Sequence, residues 1–130
     1  MSTKSLWGQL PATEGIRTPT QVLKEQATVL SDMTSGVLQG DVSVNRTGDQ
    51  FSLSLDIVVP ALDNYHYNAA VATHGVELYP VTLRSGWDYS KESRLKCADE
   101  REFEKALEQI LSSEKVRRVI ASLLAQSRAM

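Results

Sequence analysis

Two histidines, His66 and His74, and one cysteine, Cys97, bound the acid/base and metal chemistry open to this chain. Acting together, the histidines would have to meet. They lie on one extended segment, roughly 27 Å apart along a strand, so they share no metal unless that strand bends sharply. The expected arrangement places His66 on the polar face of a sheet and His74 in a turn. Neither is accompanied in sequence by the positioned partner that general acid/base work needs. Cys97 has no second cysteine to pair with, which suits a reducing compartment. It stands just before a capped helix, whose N-terminus lowers a thiol pKa, yet Asp99 and Glu100 act the other way. A buried structural thiol is the expected outcome. P-loop, G-x-G-x-x-G, H-E-x-x-H, C-x-x-C and G-x-S-x-G patterns are all missing. Many enzyme classes fall away with them, the reading leans away from an enzyme, and no cofactor or metal is implied.

Three surfaces merit a functional reading. In a meander, Asp41, Ser43, Ser52, Ser54, Asp56, His66 and Asn68 share one sheet face, from which Ser–His–Asp chemistry can be drawn. An open sheet face excludes no water and preorganises no oxyanion site, so a solvated, serine-rich surface is expected. The aromatic group is a better candidate for binding: Tyr65, Tyr67 and Tyr79 on neighbouring strands, then Trp87 and Tyr89 in a glycine-containing loop. Tyr and Trp bury large areas while keeping a polar handle. Tyr65 and Tyr67 share the phase of Ala69 and Val71 and are expected to point inward, whereas Trp87 and Tyr89 are expected at the surface. Trp87, Tyr89, Tyr79 and His66 are therefore the candidate binding residues. Lys115, Arg117 and Arg118 form a small basic cluster on the last helix, with neither a stacking platform nor a docking motif for nucleic acid beside it.

The elements that must position these groups are legible from period and punctuation. Residues 1–17 form an arm in which Leu6, Trp7 and Leu10 are expected to pack back onto the domain at 18–130, with docking onto a partner as the alternative. Thr18, Pro19 and Gln21 make a capping box that starts a helix, and Gly36 ends it. Val22, Leu23, Ala27, Val29, Leu30 and Met33 form its apolar side. Alternation then takes over. Leu38, Val42 and Val44, a turn at Arg46–Asp49, and Phe51, Leu53, Leu55 and Ile57 read as a hairpin with one apolar face. Pro60 and Asp63–Asn64 turn the chain into a third strand. A fourth runs from Val76 to Leu83, with an expected bulge at Tyr79–Pro80, where the alternation slips. Leu95 and Cys97 suggest a short fifth strand. Asp99 and Glu102 cap a second helix. Its stripe of Phe103, Leu107, Ile110 and Leu111 lies about 220° around from that of Val116, Val119, Ile120, Leu123 and Leu124. Two helices are predicted, broken at Ser112–Ser113.

The fold expected is α+β, in the order α-β-β-β-β-α-α, with four or five antiparallel strands in a meander and helices on one face. At 130 residues with 42% hydrophobic and 23% charged, the chain is the size and composition of one folded domain. A net charge of −2 leaves no basic excess for nucleic acid. No signal-peptide run or spanning segment is read, so a cytoplasmic protein away from membranes is expected. Asn45–Arg46–Thr47 is read as turn chemistry. The function expected is a non-enzymatic protein-interaction module: an accessory, inhibitor or regulatory subunit with a protein partner or a second copy of itself. The alternatives are a small hydrolase or transferase near the 84–98 loop, using His66, Asp56 or Asp88, and a weak nucleic-acid binder through the C-terminal helix.

Overall fold

The structure is a computed structural model, and it describes residues 3–130. Helix α1 spans Pro19–Met33 and begins as its sequence dictates. Thr18 Oγ1 accepts from the Gln21 backbone N–H at 3.1 Å, and the Gln21 side chain accepts from the Thr18 N–H at 2.8 Å. Strands β1 (Gln39–Thr47) and β2 (Gln50–Val59) follow, joined by a two-residue turn in which Gly48 adopts φ +59°. A 3-10 turn at Pro60–Leu62 leads to β3 (Tyr65–His74). Asp63 and Asn64, both at positive φ, reverse the chain there. Strands β4 (Val81–Ser85) and β5 (Leu95–Cys97) complete a sheet of order β1-β2-β3-β4-β5, antiparallel throughout.

Helices α2 (Glu100–Leu111) and α3 (Glu114–Ala129) break where the serines stand. Ser112 closes the first, and Ser113 Oγ caps the second by accepting from the Val116 N–H at 3.3 Å. Asp99 caps α2 through the Glu102 N–H at 2.9 Å. The Glu102 carboxylate reaches back one residue further than a capping box requires, to the N–H of Ala98 at 2.8 Å. The fold class is as expected, with the fifth strand formed.

All three helices pack on one face. Helix α1 lies along β1, α2 crosses β3, β4 and β5, and α3 covers the end of the sheet beside the 3-10 turn. One apolar cluster joins Leu23, Leu53, Ala72, Leu83 and Phe103 beneath α1 and α2. A second joins Leu38, Ile57, Val59, Ala69, Val116 and Leu123 beneath α3. Gly40 permits the close seating of α1, because a Cβ there would overlap Ala27 and come within 3.0 Å of its carbonyl oxygen. Helices α1 and α3 lie on either side of a slot over the sheet. The slot left between them, of about 160 Å³, is lined by Val29, Leu30, Met33 and Ile120, so Val29 and Met33 are exposed rather than covered.

The bulge belongs to a different strand from the one the alternation suggested. Leu55 pairs with Ala70 but Asp56 pairs with Asn68, which makes Ala69 the extra residue in β3. Tyr67 and Ala69 consequently share the covered face with Ala70 and Ala72. Val71 faces the other way, opposite Ser54 and Arg84. The fourth strand starts at Val81, not Val76. Pro80, behind a cis Tyr79–Pro80 peptide, has no N–H to give the ladder.

Candidate functional site

The uncovered face of the sheet carries the polar set read from the sequence. Asp41 pairs with Asp56, Ser43 with Ser54 and Asn45 with Ser52, while Asn68 stands opposite Asp56 and His66 opposite Val58. The Asp56 carboxylate lies 3.3 Å from His66 Nδ1 and accepts from the Asn68 amide at 2.8 Å. This orients the imidazole. Among the described residues, however, no serine hydroxyl is hydrogen-bonded to His66, so a nucleophile–base pair is not assembled. His74, placed in a turn by the sequence reading, is instead the last residue of β3. It is buried and stacked on Phe51 with ring centroids 5.5 Å apart.

The four candidate binding residues separate. Tyr89 is exposed and lies beneath the Arg84 guanidinium, 4.6 Å from ring centroid to Cζ. His66 is exposed on the same open face. Trp87, expected at the surface, is half-buried: its ring stacks on Tyr67 at 6.4 Å and touches both apolar clusters. Gly86 puts it there by donating its N–H to the Ala69 carbonyl at 3.1 Å, which pins the loop against the bulge. Tyr65 sits at the sheet's end and is half-exposed, not inward. Asp88 is held low in pKa by the backbone N–H of Ser90, at 3.0 Å, and then by serine side chains, which suits a turn-forming carboxylate and not a general acid.

Tyr79 is half-buried, edge-on to Phe103 at 6.4 Å, and its hydroxyl is cut off from solvent with no hydrogen-bond partner among the described residues. Burial, and secondarily the Glu100 carboxylate, push its pKa up from 10.0 to about 12. The unfolded chain ionises first, so stability that is level below pH 10 should fall as the pH rises through about 12. Tyr79→Phe is expected to lessen that fall. At neutral pH it should be neutral or stabilising by about 1 kcal/mol, since an orphaned polar atom is removed. Urea unfolding across both pH ranges measures both effects. Cys97 is buried in the first cluster as expected, and burial raises its thiol pKa.

One feature leaves no trace in the sequence. A cleft of about 750 Å³ opens between the start of β3 and α3, with Leu62, Tyr65 and Tyr67 on one side and Lys115, Arg118 and Leu123 on the other. The arm departs from the packing on the domain expected for it. Arg17 anchors its end by pairing with Glu25 of α1 and Glu104 of α2, but Leu6, Trp7 and Leu10 are 90%, 89% and 84% exposed. The arm does not fold back. Its composition offered one signal, three large apolar residues in a stretch with no helical or strand period.

No family model, curated protein or solved structure matches the chain.

Among the described residues there is no cluster of three His, Cys, Asp or Glu side chains suited to a metal ion, and no helix long and apolar enough to cross a membrane.

Proposed function

We propose that the chain is a non-enzymatic protein-interaction module, an accessory, inhibitor or regulatory subunit, whose N-terminal arm docks into an apolar groove of a protein partner. The observation that supports this is the near-complete exposure of Leu6, Trp7 and Leu10 on a segment whose end is held by the Arg17 ion pairs. Large apolar side chains gathered on one short segment gain most from burial against another protein. Burying these three is worth on the order of 6 kcal/mol before the ordering of the arm is subtracted. That falls short of the roughly 8 kcal/mol of a micromolar complex. The arm alone thus gives a weak, reversible contact, and the open face around Arg84 and Tyr89 is available to add to it. The lone buried thiol fits a reducing compartment such as the cytoplasm.

The test compares the full chain with Trp7→Ser/Leu10→Ser. Both positions are exposed, so the variant should match the parent in unfolding free energy to within about 0.5 kcal/mol. Affinity capture from the source cell's lysate and light scattering over a concentration series are then run on both proteins. A retained protein, or a concentration-dependent dimer, that is lost in the variant is the expected result. A monomer that retains nothing, or retention unchanged by the two substitutions, would count against the arm.

A further inference from the structure

The cleft between β3 and α3 is a second site, separate from the arm in position and in chemistry. Its volume of about 750 Å³ lies within the range of small-molecule pockets. Lys115 and Arg118, three residues apart on α3, occupy one helix face and bring two positive charges to the same wall. Among the described residues neither has a carboxylate within ion-pair distance, whereas Arg17 is paired to three. Opposite them stand two tyrosine rings, Tyr65 half-exposed and Tyr67 backed by the Trp87 indole. Among the described residues the Tyr67 hydroxyl, shielded from solvent, has no hydrogen-bond partner, an arrangement that costs free energy.

A cationic wall facing an aromatic one selects for a molecule with both characters. We infer that the cleft binds a small organic anion, with its carboxylate or phosphate between Lys115 and Arg118 and its flat apolar body against Tyr65 and Tyr67. The arginine fork suits either head group, and the lysine adds a point charge. Tyr65 supplies a face on which a ring stacks at little conformational cost.

Three probes distinguish the elements of this inference: indole-3-acetate, phenyl phosphate and the uncharged indole-3-acetamide. Each is titrated to millimolar concentration while backbone amide chemical shifts are followed. At least one of the two anions should perturb residues 62–67 and 115–126, and which one does so identifies the head group. The acetamide should bind about tenfold more weakly or not at all. In Lys115→Gln/Arg118→Gln, whose changes lie on an exposed helix face, the anion's affinity should fall about tenfold or more while the unfolding midpoint stays put. Silence from both anions, equal binding by the acetamide, or affinity unchanged in the double variant would overturn the assignment.

Discussion

Gly86→Ala should lower the free energy of unfolding by about 3 kcal/mol or more, although it adds a single methyl group. A Cβ at Gly86 would overlap the carbonyl oxygen of Asn68 and come within 2.5 Å of its carbonyl carbon. Both atoms belong to the β3 backbone beside the bulge, so neither can swing aside as a flexible side chain would. Relief requires parting the loop from the strand, breaking the Gly86–Ala69 hydrogen bond and withdrawing Trp87 from Tyr67. The same substitution at Gly75 makes a sharp contrast. There the nearest atom to a new Cβ is the Gln50 amide nitrogen at 3.9 Å, and the change should be neutral or stabilising by a few tenths of a kcal/mol. Denaturant unfolding of the pair measures the difference. Equal midpoints would show that the loop does not seat on β3 as described.

Phe103→Ala should cost about 3–5 kcal/mol. Phe103 is fully buried on α2, in the cluster that also holds Leu53, Leu83 and Val81, with Tyr79 against its edge. Truncation removes the largest side chain through which α2 covers the sheet and leaves a cavity that fixed strand backbones cannot fill. A loss below about 1 kcal/mol, the size of an ordinary surface change, would mean that α2 does not form that part of the core. Near-ultraviolet circular dichroism adds a second readout, since Tyr79 loses its aromatic neighbour.

Much of the architecture was legible because it is local. Thr18 with Gln21, Asp99 with Glu102, and Ser113 each satisfy backbone donors within four residues, so the helix starts stand in the sequence itself. The β1–β2 hairpin was likewise readable from strict alternation across a glycine turn. The bulge at Ala69 was not. Ala69, Ala70, Val71 and Ala72 are all apolar, so a one-residue shift of phase leaves no trace in that run. Tyr79–Pro80 drew the expected bulge instead, because its interruption is visible in sequence while its consequence, a later strand start, depends on ladder pairing.

The candidate site divides the same way. The open face with Asp41, Asp56, His66 and Asn68 follows from period and meander order. Trp87 was misjudged because its surroundings come from β3 and two distant clusters rather than from its loop. The β3–α3 cleft brings Tyr65 and Tyr67 to Lys115 and Arg118 across some fifty residues of chain, a distance no local pattern spans. The arm was misjudged for a different reason. Three apolar residues ordinarily find cover on their own domain, but Leu6, Trp7 and Leu10 join neither apolar cluster.

Exposure of Trp7 is the physical fact on which the docking proposal stands, and acrylamide quenching reads it directly. With Trp87→Phe leaving Trp7 as the sole tryptophan and excitation chosen to avoid the four tyrosines, a dilute monomeric sample should be quenched nearly as fast as free tryptophan in water. Trp7→Phe, which leaves Trp87, should be quenched several-fold more slowly. A blue-shifted Trp7, protected as well as Trp87 under the same conditions, would show the arm already packed on its own domain and would contradict its role as a docking segment.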